Sequence, residues 1–441
     1  MFPPPIEPLH EGAFRPDPVL PPPSGSALFT PCAVGPLTVP NRVWLPAMVT
    51  WLSNEAGEVT PDITARYVRY ARGGAGMIVL EAMGVRDVNS GPLLRIGHDR
   101  YLPGLRALAR SLHETNDVRV IPQIIDFLKI ARRDPARALL RLEPRYPGCS
   151  AWTEPELQER LLPRDWRDYA SGYRQQIEDL SLEEIRAIPQ LFADAARRAR
   201  AAGFDGVELH FAHAYTMASF LSATNGRTDD YGGSLENRVR LAIEVTRVVR
   251  REVGADFCVG CRILGSDDVS GGSTLAETAW FAVALANAGL DFISVSRGGR
   301  FEDAKRPAIG EAAYPYTGNS GLLCMPTRVF PEGNNLHLPS GIRAALRRAG
   351  LPTPVVGAGK INTYAAAESA LRQGHVDLVG MARGLLADPD WPNRVRGDQE
   401  SSVHACKYTN VCEALDRKHL PVRCQLWMKR PDGGMHPPDA W

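Results

Sequence analysis

The chain has no excess of either charge. Its 51 Lys and Arg stand against 50 Asp and Glu in 441 residues, which leaves no electrostatic footprint for nucleic acid or an anionic membrane. No apolar run approaches the roughly twenty residues that a spanning helix needs. The opening stretch, MFPPPIEPLHEGAFRPDPVLPPPSG, lacks the basic-then-apolar order of a secretory signal. Cysteine is scarce, with eight in the whole chain. Without an export signal, that points to a reduced cytoplasmic protein and no disulfide framework. Also missing is a glycine-rich fingerprint after an early strand, which a doubly wound dinucleotide fold would want. A small-molecule substrate is expected, with no nucleic acid or membrane partner. A homo-oligomer stays open.

Proline is plentiful at one end. Nine of the first 23 residues are proline, so residues 1–26 read as an extended, semi-rigid arm. Length alone suggests about three domains, but a single α/β barrel with insertions also reaches this size. The pattern favours the barrel, over residues 27–400. Eight β-rich runs alternate with helical stretches: RVWLPAMVT, GMIVLEA, VRVIPQII, FDGVELH, DFCVGCRI, DFISVS, TPVVGAG and DLVGMAR. Leu241, Val245, Val248 and Val249 put an apolar stripe on one of the helices. Ser181 with Glu184 predicts a capping box opening another, which ends before Gly203. Strands and helices in this order predict an α/β fold, a (β/α)8 TIM barrel. Long loops follow strand 3 (about 128–180) and strand 6 (about 297–339), and loops of that length are often lids. The CVGC run, Cys258 to Cys261, looks like a redox pair. Residues three apart in a strand face opposite sides, so two small buried residues are expected instead.

The chemistry gathers at the end of the fourth strand. His210 closes VELH, and His213 and Tyr215 follow at once. In such a barrel, side chains at C-terminal strand ends face the active site. Two imidazoles can aim N–H groups at one substrate oxygen, and a phenol with an ordinary pKa near 10 keeps a donatable proton at neutral pH. No third ligand stands nearby, so a metal is not expected.

The run GFDGVELHFAHAY…FLSATNGRTDDYGGSLENRVR resembles the signature of the Old Yellow Enzyme family of flavin mononucleotide oxidoreductases. LFTPCAVGPLTVPNRVWLPAM, YARGGAGMIVLEA and VDLVGMARGLLADPDWP resemble that family's first, second and last strands, and the likeness spans roughly Ala27 to Val395. The resemblance implies FMN stacked over the barrel mouth, with NAD(P)H as reductant. It implies that His210 and His213 bind the substrate anion and that Tyr215 donates the proton. Gln123 would face the flavin pyrimidine, Ala82 would line the ring with its backbone, and Ala47, Met48 and Val49 would follow the first strand beside it. Arg262 would sit near flavin N1 and the C2 oxygen, and Gly359, Lys360, Ala382 and Arg383 would hold the phosphate. An arginine inside an apolar strand needs an anionic partner, which suits Arg262.

The sequence departs from that pattern in four places. Val49 replaces the Thr or Cys that tunes the flavin, so either Thr50 substitutes or the potential differs. Asp126 and Lys129 stand where relatives carry His and Arg. Ala382 replaces a glycine. In the tail, 401–441, CKYTNVCEALDRKHLPVRC resembles the iron–sulfur motif of larger relatives, but Thr409 stands where a second cysteine belongs. Four thiolates normally hold a [4Fe–4S] cluster. With only Cys406, Cys412 and Cys424, and with the chain stopping at Trp441, the expectation is a relic without a cluster. The expected activity is NAD(P)H-driven reduction of an activated C=C bond. The alternative is flavin-dependent oxidation (amine oxidation, desaturation or aromatisation) on the same scaffold.

Overall fold

Runs of Val, Ile, Leu and Met bounded by glycine or proline form eight parallel strands, as continuous apolar runs do when both sheet faces are covered. In the computed structural model of the chain, these are β1 Val43–Leu45, β2 Met77–Gly84, β3 Arg119–Ile125, β4 Gly206–Phe211, β5 Cys258–Leu264, β6 Phe292–Ser296, β7 Val355–Ala358 and β8 Leu378–Gly380. The structure describes residues 14–88, 90–127, 139–140, 142–170, 176–305, 314–429 and 435–436. Strands pair in chain order and close when Val379 and Gly380 of β8 pair with Val43 and Trp44 of β1. The expected (β/α)8 barrel is the fold. Two expected strands are shorter than their apolar runs. Pro46 ends β1, having no N–H to give a ladder, and a helix, Ala382–Ala387, opens directly after β8.

Outward side chains of the strands pack against the surrounding helices in one large core. The helix Leu182–Ala202 opens on Ser181, whose Oγ accepts from Glu184 N at 3.2 Å, and ends at left-handed Gly203. On the helix Leu235–Val253, Leu241, Val245 and Val249 are buried and Val248 partly so. Inward side chains fill the N-terminal end of the barrel with Trp44, Met77, Val79, Ile121, Cys258, Phe292, Val356 and Leu378. The Trp44 and Phe292 rings meet edge to face at 4.9 Å. Gly260 makes room for them: a Cβ there would lie 2.2 Å from Phe292 Cδ1. This explains CVGC as packing. Cys258 belongs to the inner layer and Cys261 to the outer core, and all eight cysteines are free thiols.

With the floor filled, the barrel opens at the C-terminal strand ends. Described parts of the two long loops border that end. The first carries a small core of its own around Cys149, Leu157, Leu161 and Trp166. Of the proline-rich arm, residues 14–26 lie against the helix Tyr364–Arg372, with Tyr364 Oη donating to Pro21 O at 2.7 Å. Residues 1–13 and Lys129 lie outside the described residues. Among the described residues no helix is long and apolar enough to cross a membrane.

Candidate active site

A cavity of about 770 Å³ occupies the C-terminal mouth of the barrel. All thirteen residues singled out in the sequence line it. Ala47, Met48 and Val49 come from the end of β1, Ala82 from β2, Gln123 from β3 and Arg262 from β5. His210, His213 and Tyr215 come from the end of β4. Gly359 and Lys360 follow β7, and Ala382 and Arg383 follow β8.

The histidines are neutral. Burial and then the nearby Arg262 charge push His210 down to about 3. Burial, then His210, Arg262 and Arg300, hold His213 well below the usual imidazole range. A backbone donor, Ala212 N, lies 3.3 Å from His210 Nδ1, which assigns the His210 proton to Nε2. That N–H meets His213 Nδ1 at 3.3 Å, and His213 Nε2 meets Ser296 Oγ at 2.9 Å. The expectation had both N–H groups aimed at one substrate oxygen. In the structure they are engaged with each other and with Ser296, so an incoming oxygen must compete for them. His213 sits at φ +61°, an uncommon backbone for a residue with a side chain. A fully buried guanidinium fixes it there: Arg300 Nη1 donates to His213 O at 3.0 Å and to Ala218 O at 3.2 Å. Gly299 leaves room for the ring, since a Cβ there would lie 3.3 Å from His213 Cδ2 and 2.6 Å from Tyr316 Cε1.

Tyr215 packs edge-on to Phe127 at 5.5 Å and lies 5.4 Å from the His210 ring. Burial, reinforced by the Asp416 charge, pushes its phenol well above the ordinary value, and its hydroxyl is hydrogen-bonded to Tyr316. The proton therefore stays on Tyr215 across the physiological range.

Arg262 stands beside His210 in register. Its Nη2 donates to Ser296 Oγ at 3.3 Å, while Nε and Nη1 are buried with no hydrogen-bond partner among the described residues. Two orphaned charged donors in a cavity wall call for an anionic or carbonyl-bearing guest. The pyrimidine edge of a flavin answers that description, so the residues present fit FMN. Behind Arg262, Gln123 Nε2 donates to Glu208 Oε2 at 2.6 Å. At the far end, Lys360 Nζ reaches Thr327 O and Arg328 O, each at 3.3 Å, and Phe330 O. Arg383 Nη1 donates to Pro326 O at 2.8 Å and Asn410 Oδ1 at 2.7 Å. Both cations lie over the Tyr408 ring, at 4.6 and 4.9 Å.

The departures resolve locally. Val49 lines the cavity, but Thr50 does not take over its place: the Thr50 hydroxyl donates at 2.6 Å to the buried Glu81. Asp126 turns away from the cavity into a bidentate pair with Arg86, at 2.8 and 2.9 Å. Cys406, Cys412 and Cys424 join an apolar cluster with Leu386, Val422 and Trp427. Among the described residues no group of three or more His, Cys, Asp or Glu is arranged to hold a metal.

Sequence reasoning missed one wall. Trp51, Tyr314, Tyr316, Tyr408, Asp416 and His419 also line the cavity, beside Cys412 of the tail motif. The doublet in YPYTG was a usable signal, because two tyrosines in a long loop after β6 have few apolar reasons to be there. Asp416 carried none. It lies inside the cysteine motif, whose spacing drew attention to sulfur alone.

The family model described as NADH:flavin oxidoreductase / NADH oxidase matches residues 27–321 and 335–401. The chain belongs to that family. Among curated flavin oxidoreductases, the NADH oxidase of Thermoanaerobacter brockii is 32% identical over 406 residues, which is 90% of this chain and 55% of that protein. The NADPH dehydrogenase of Bacillus licheniformis is 32% identical over 373 residues, 84% of this chain and 94% of that one. The chain spans about half the length of several of the family members it matches. In fold, it is similar to Old Yellow Enzyme from Pichia sp. AKU4542, with a TM-score of 0.62 at 22% identity over 91% of this chain and 92% of that one.

Proposed function

We propose that this flavin oxidoreductase binds FMN, takes electrons from NAD(P)H and reduces an activated C=C bond such as that of an α,β-unsaturated carbonyl. The observation that carries the reading is the convergence, in one cavity, of a neutral histidine pair, a protonated tyrosine and an arginine with two unpartnered donors. Ala47, Met48, Ala82, Gln123 and Arg262 would hold the ring system, and Gly359, Lys360, Ala382 and Arg383 the phosphate. Bound FMN supplies the two-electron hydride chemistry that no side chain of the chain can provide.

The protein's own part is electrostatic and protonic. His210 and His213 donate hydrogen bonds to the substrate oxygen as negative charge builds there, and they do so as neutral imidazoles that keep their protons. Tyr215 gives its phenolic proton to the carbon α to the carbonyl. Arg262 holds a permanent positive charge against the edge of the ring system. Asp126, paired with Arg86, takes no part at the cavity. Three thiols without a fourth suit no [4Fe–4S] cluster, so none is proposed. The test is the absorption spectrum and the half-reactions of purified protein. Yellow protein that releases FMN, is bleached by NAD(P)H under anaerobic conditions and is reoxidised by 2-cyclohexenone supports the reading. Colourless protein that cannot be reconstituted with FMN ends it.

A further inference from the structure

Between its apolar floor and the cavity, the barrel carries a carboxyl group that has no task in the reading above. Val207 and Leu209 face the outer core, so Glu208 between them faces the barrel interior, on the same side of β4 as His210. It is fully buried and does not line the cavity. Burial pushes its pKa up, against the Arg262 charge and hydrogen bonds from Gln123 and Ser294. An ionisable group in such a place is costly. Cys258 and Phe292 show that apolar side chains fill this interior well without one.

What the carboxyl group does is visible at Gln123. The two residues stand level in the β3–β4 ladder, and Gln123 Nε2 donates to Glu208 Oε2 at 2.6 Å. A carboxylate accepts and cannot donate, and the Arg262 charge favours that ionised form. Glu208 therefore selects the orientation of the amide with its N–H turned inward, since only such partners distinguish the two ends of an amide side chain. Oε1 is then the end left for the cavity, whose wall Gln123 lines. Arg262, in the same wall, has only donors to give. One acceptor near charged donors complements a ring edge on which an N–H is flanked by carbonyl oxygens. Without Glu208 the amide is free to turn over and offer donors instead.

We propose that Glu208 is a positioning residue for the cofactor, fixing the Gln123 amide so that Oε1 is offered to the imide N–H of the flavin ring. The proposal rests on the reading of this cavity as the FMN site, and it adds the residue that sets the polarity of the wall. Glu208 acts through Gln123 and touches neither ring nor substrate.

The experiment is fluorescence titration of the full chain, stripped of flavin, with FMN and with 3-deaza-FMN, in which a C–H replaces the imide N–H at nearly equal size. In the wild type FMN should bind about tenfold more tightly, the worth of one buried hydrogen bond. Glu208→Leu should weaken FMN by about tenfold and leave 3-deaza-FMN within about twofold, erasing the preference. A residue that merely shapes the barrel would weaken both alike, and that result overturns the proposal. So does equal affinity for the two flavins in the wild type. Where Glu208→Leu does not fold, Glu208→Gln decides. Its amide can donate to Gln123 Oε1 as readily as accept from Nε2, so the preference should fall to about threefold or less. A preference that survives in full there overturns the proposal. Protein that takes up neither flavin ends the FMN reading and this proposal with it, whereas equal uptake of both ends the proposal alone.

Discussion

The two walls of the cavity are built by different rules. The β4 wall, His210 to Tyr215, grows out of a strand: six register pairs to β5 run from Gly206 to Phe211, and Arg300 holds the backbone of His213 just beyond them. The opposite wall, Tyr408 to Trp427, is placed by side chains reaching across the chain. Asp416 ties to Trp51 and Tyr314, Asn410 Nδ2 to Met325 O at 2.8 Å, and Trp427 Nε1 to Leu386 O at 2.9 Å. A single backbone contact joins it to the barrel's first loop, Val422 N to Thr50 O at 2.9 Å. A wall built by strand ladders tolerates loss of any one side chain. A wall built by side chains does not.

That difference is breakable. Trp427→Ala should have the largest effect, removing a buried ring from the apolar cluster and its bond to Leu386. A loss of about 3–5 kcal/mol in urea unfolding is expected, as for buried tryptophans elsewhere. A loss under about 1 kcal/mol would show that the second wall is merely laid against the barrel.

Glu81 sharpens the comparison, because it braces Thr50, whose carbonyl accepts from Val422 of the second wall. Fully buried, it accepts from Thr50 N at 3.0 Å and from Thr50 Oγ1 at 2.6 Å, and burial raises it from 4.5 to about 7. A carboxyl raised in the folded state binds its proton more tightly there than in the unfolded chain. Its stabilising contribution is therefore complete below the unfolded value and lost as pH rises through about 7. That loss amounts to about 3 kcal/mol. Urea midpoints at pH 5 and pH 8 should differ accordingly in the wild type and converge in Glu81→Gln. Parallel behaviour of the two proteins would remove Glu81 from the account.

On the β4 wall, Tyr215→Phe keeps the ring and removes the proton. Reoxidation of reduced protein by an alkene should slow by about a hundredfold, while reduction by NAD(P)H keeps its rate. His213→Ala should slow the same half-reaction by a similar factor and also weaken ligand binding, which the tyrosine change should not. Stopped-flow measurement of both half-reactions separates the roles. An unchanged alkene step in Tyr215→Phe would take the donor's role from that tyrosine. The smallest effect concerns sulfur. Metal analysis of anaerobically prepared protein should find no stoichiometric iron, and a chelator should leave the unfolding midpoint unmoved. Iron with matching acid-labile sulfide would mean that three cysteines suffice.

Legibility followed the same division. The barrel was readable because each strand is a short apolar run and each helix carries its own start and stop, as at Ser181, Glu184 and Gly203. His210, His213 and Tyr215 were readable because they sit next to one another in sequence. The strand ends were not. Where β1 stops depends on Pro46, and where β8 stops depends on the helix that opens after it. Asp416 was invisible because its partners, Trp51 and Tyr314, are 365 and 102 residues away. Long-range side-chain bonds leave no periodic trace. The inward turn of Thr50 toward Glu81 was hidden for the same reason.

The packed floor of Trp44 and Phe292 has a kinetic consequence. A barrel plugged at its floor admits nothing from below, so a guest of the mouth cavity enters and leaves at the C-terminal end. If NAD(P)H and the substrate react at the proposed flavin, they are admitted in turn, each excluding the other. Initial-rate plots for such a vessel run parallel, and an excess of either visitor slows the traffic of its counterpart.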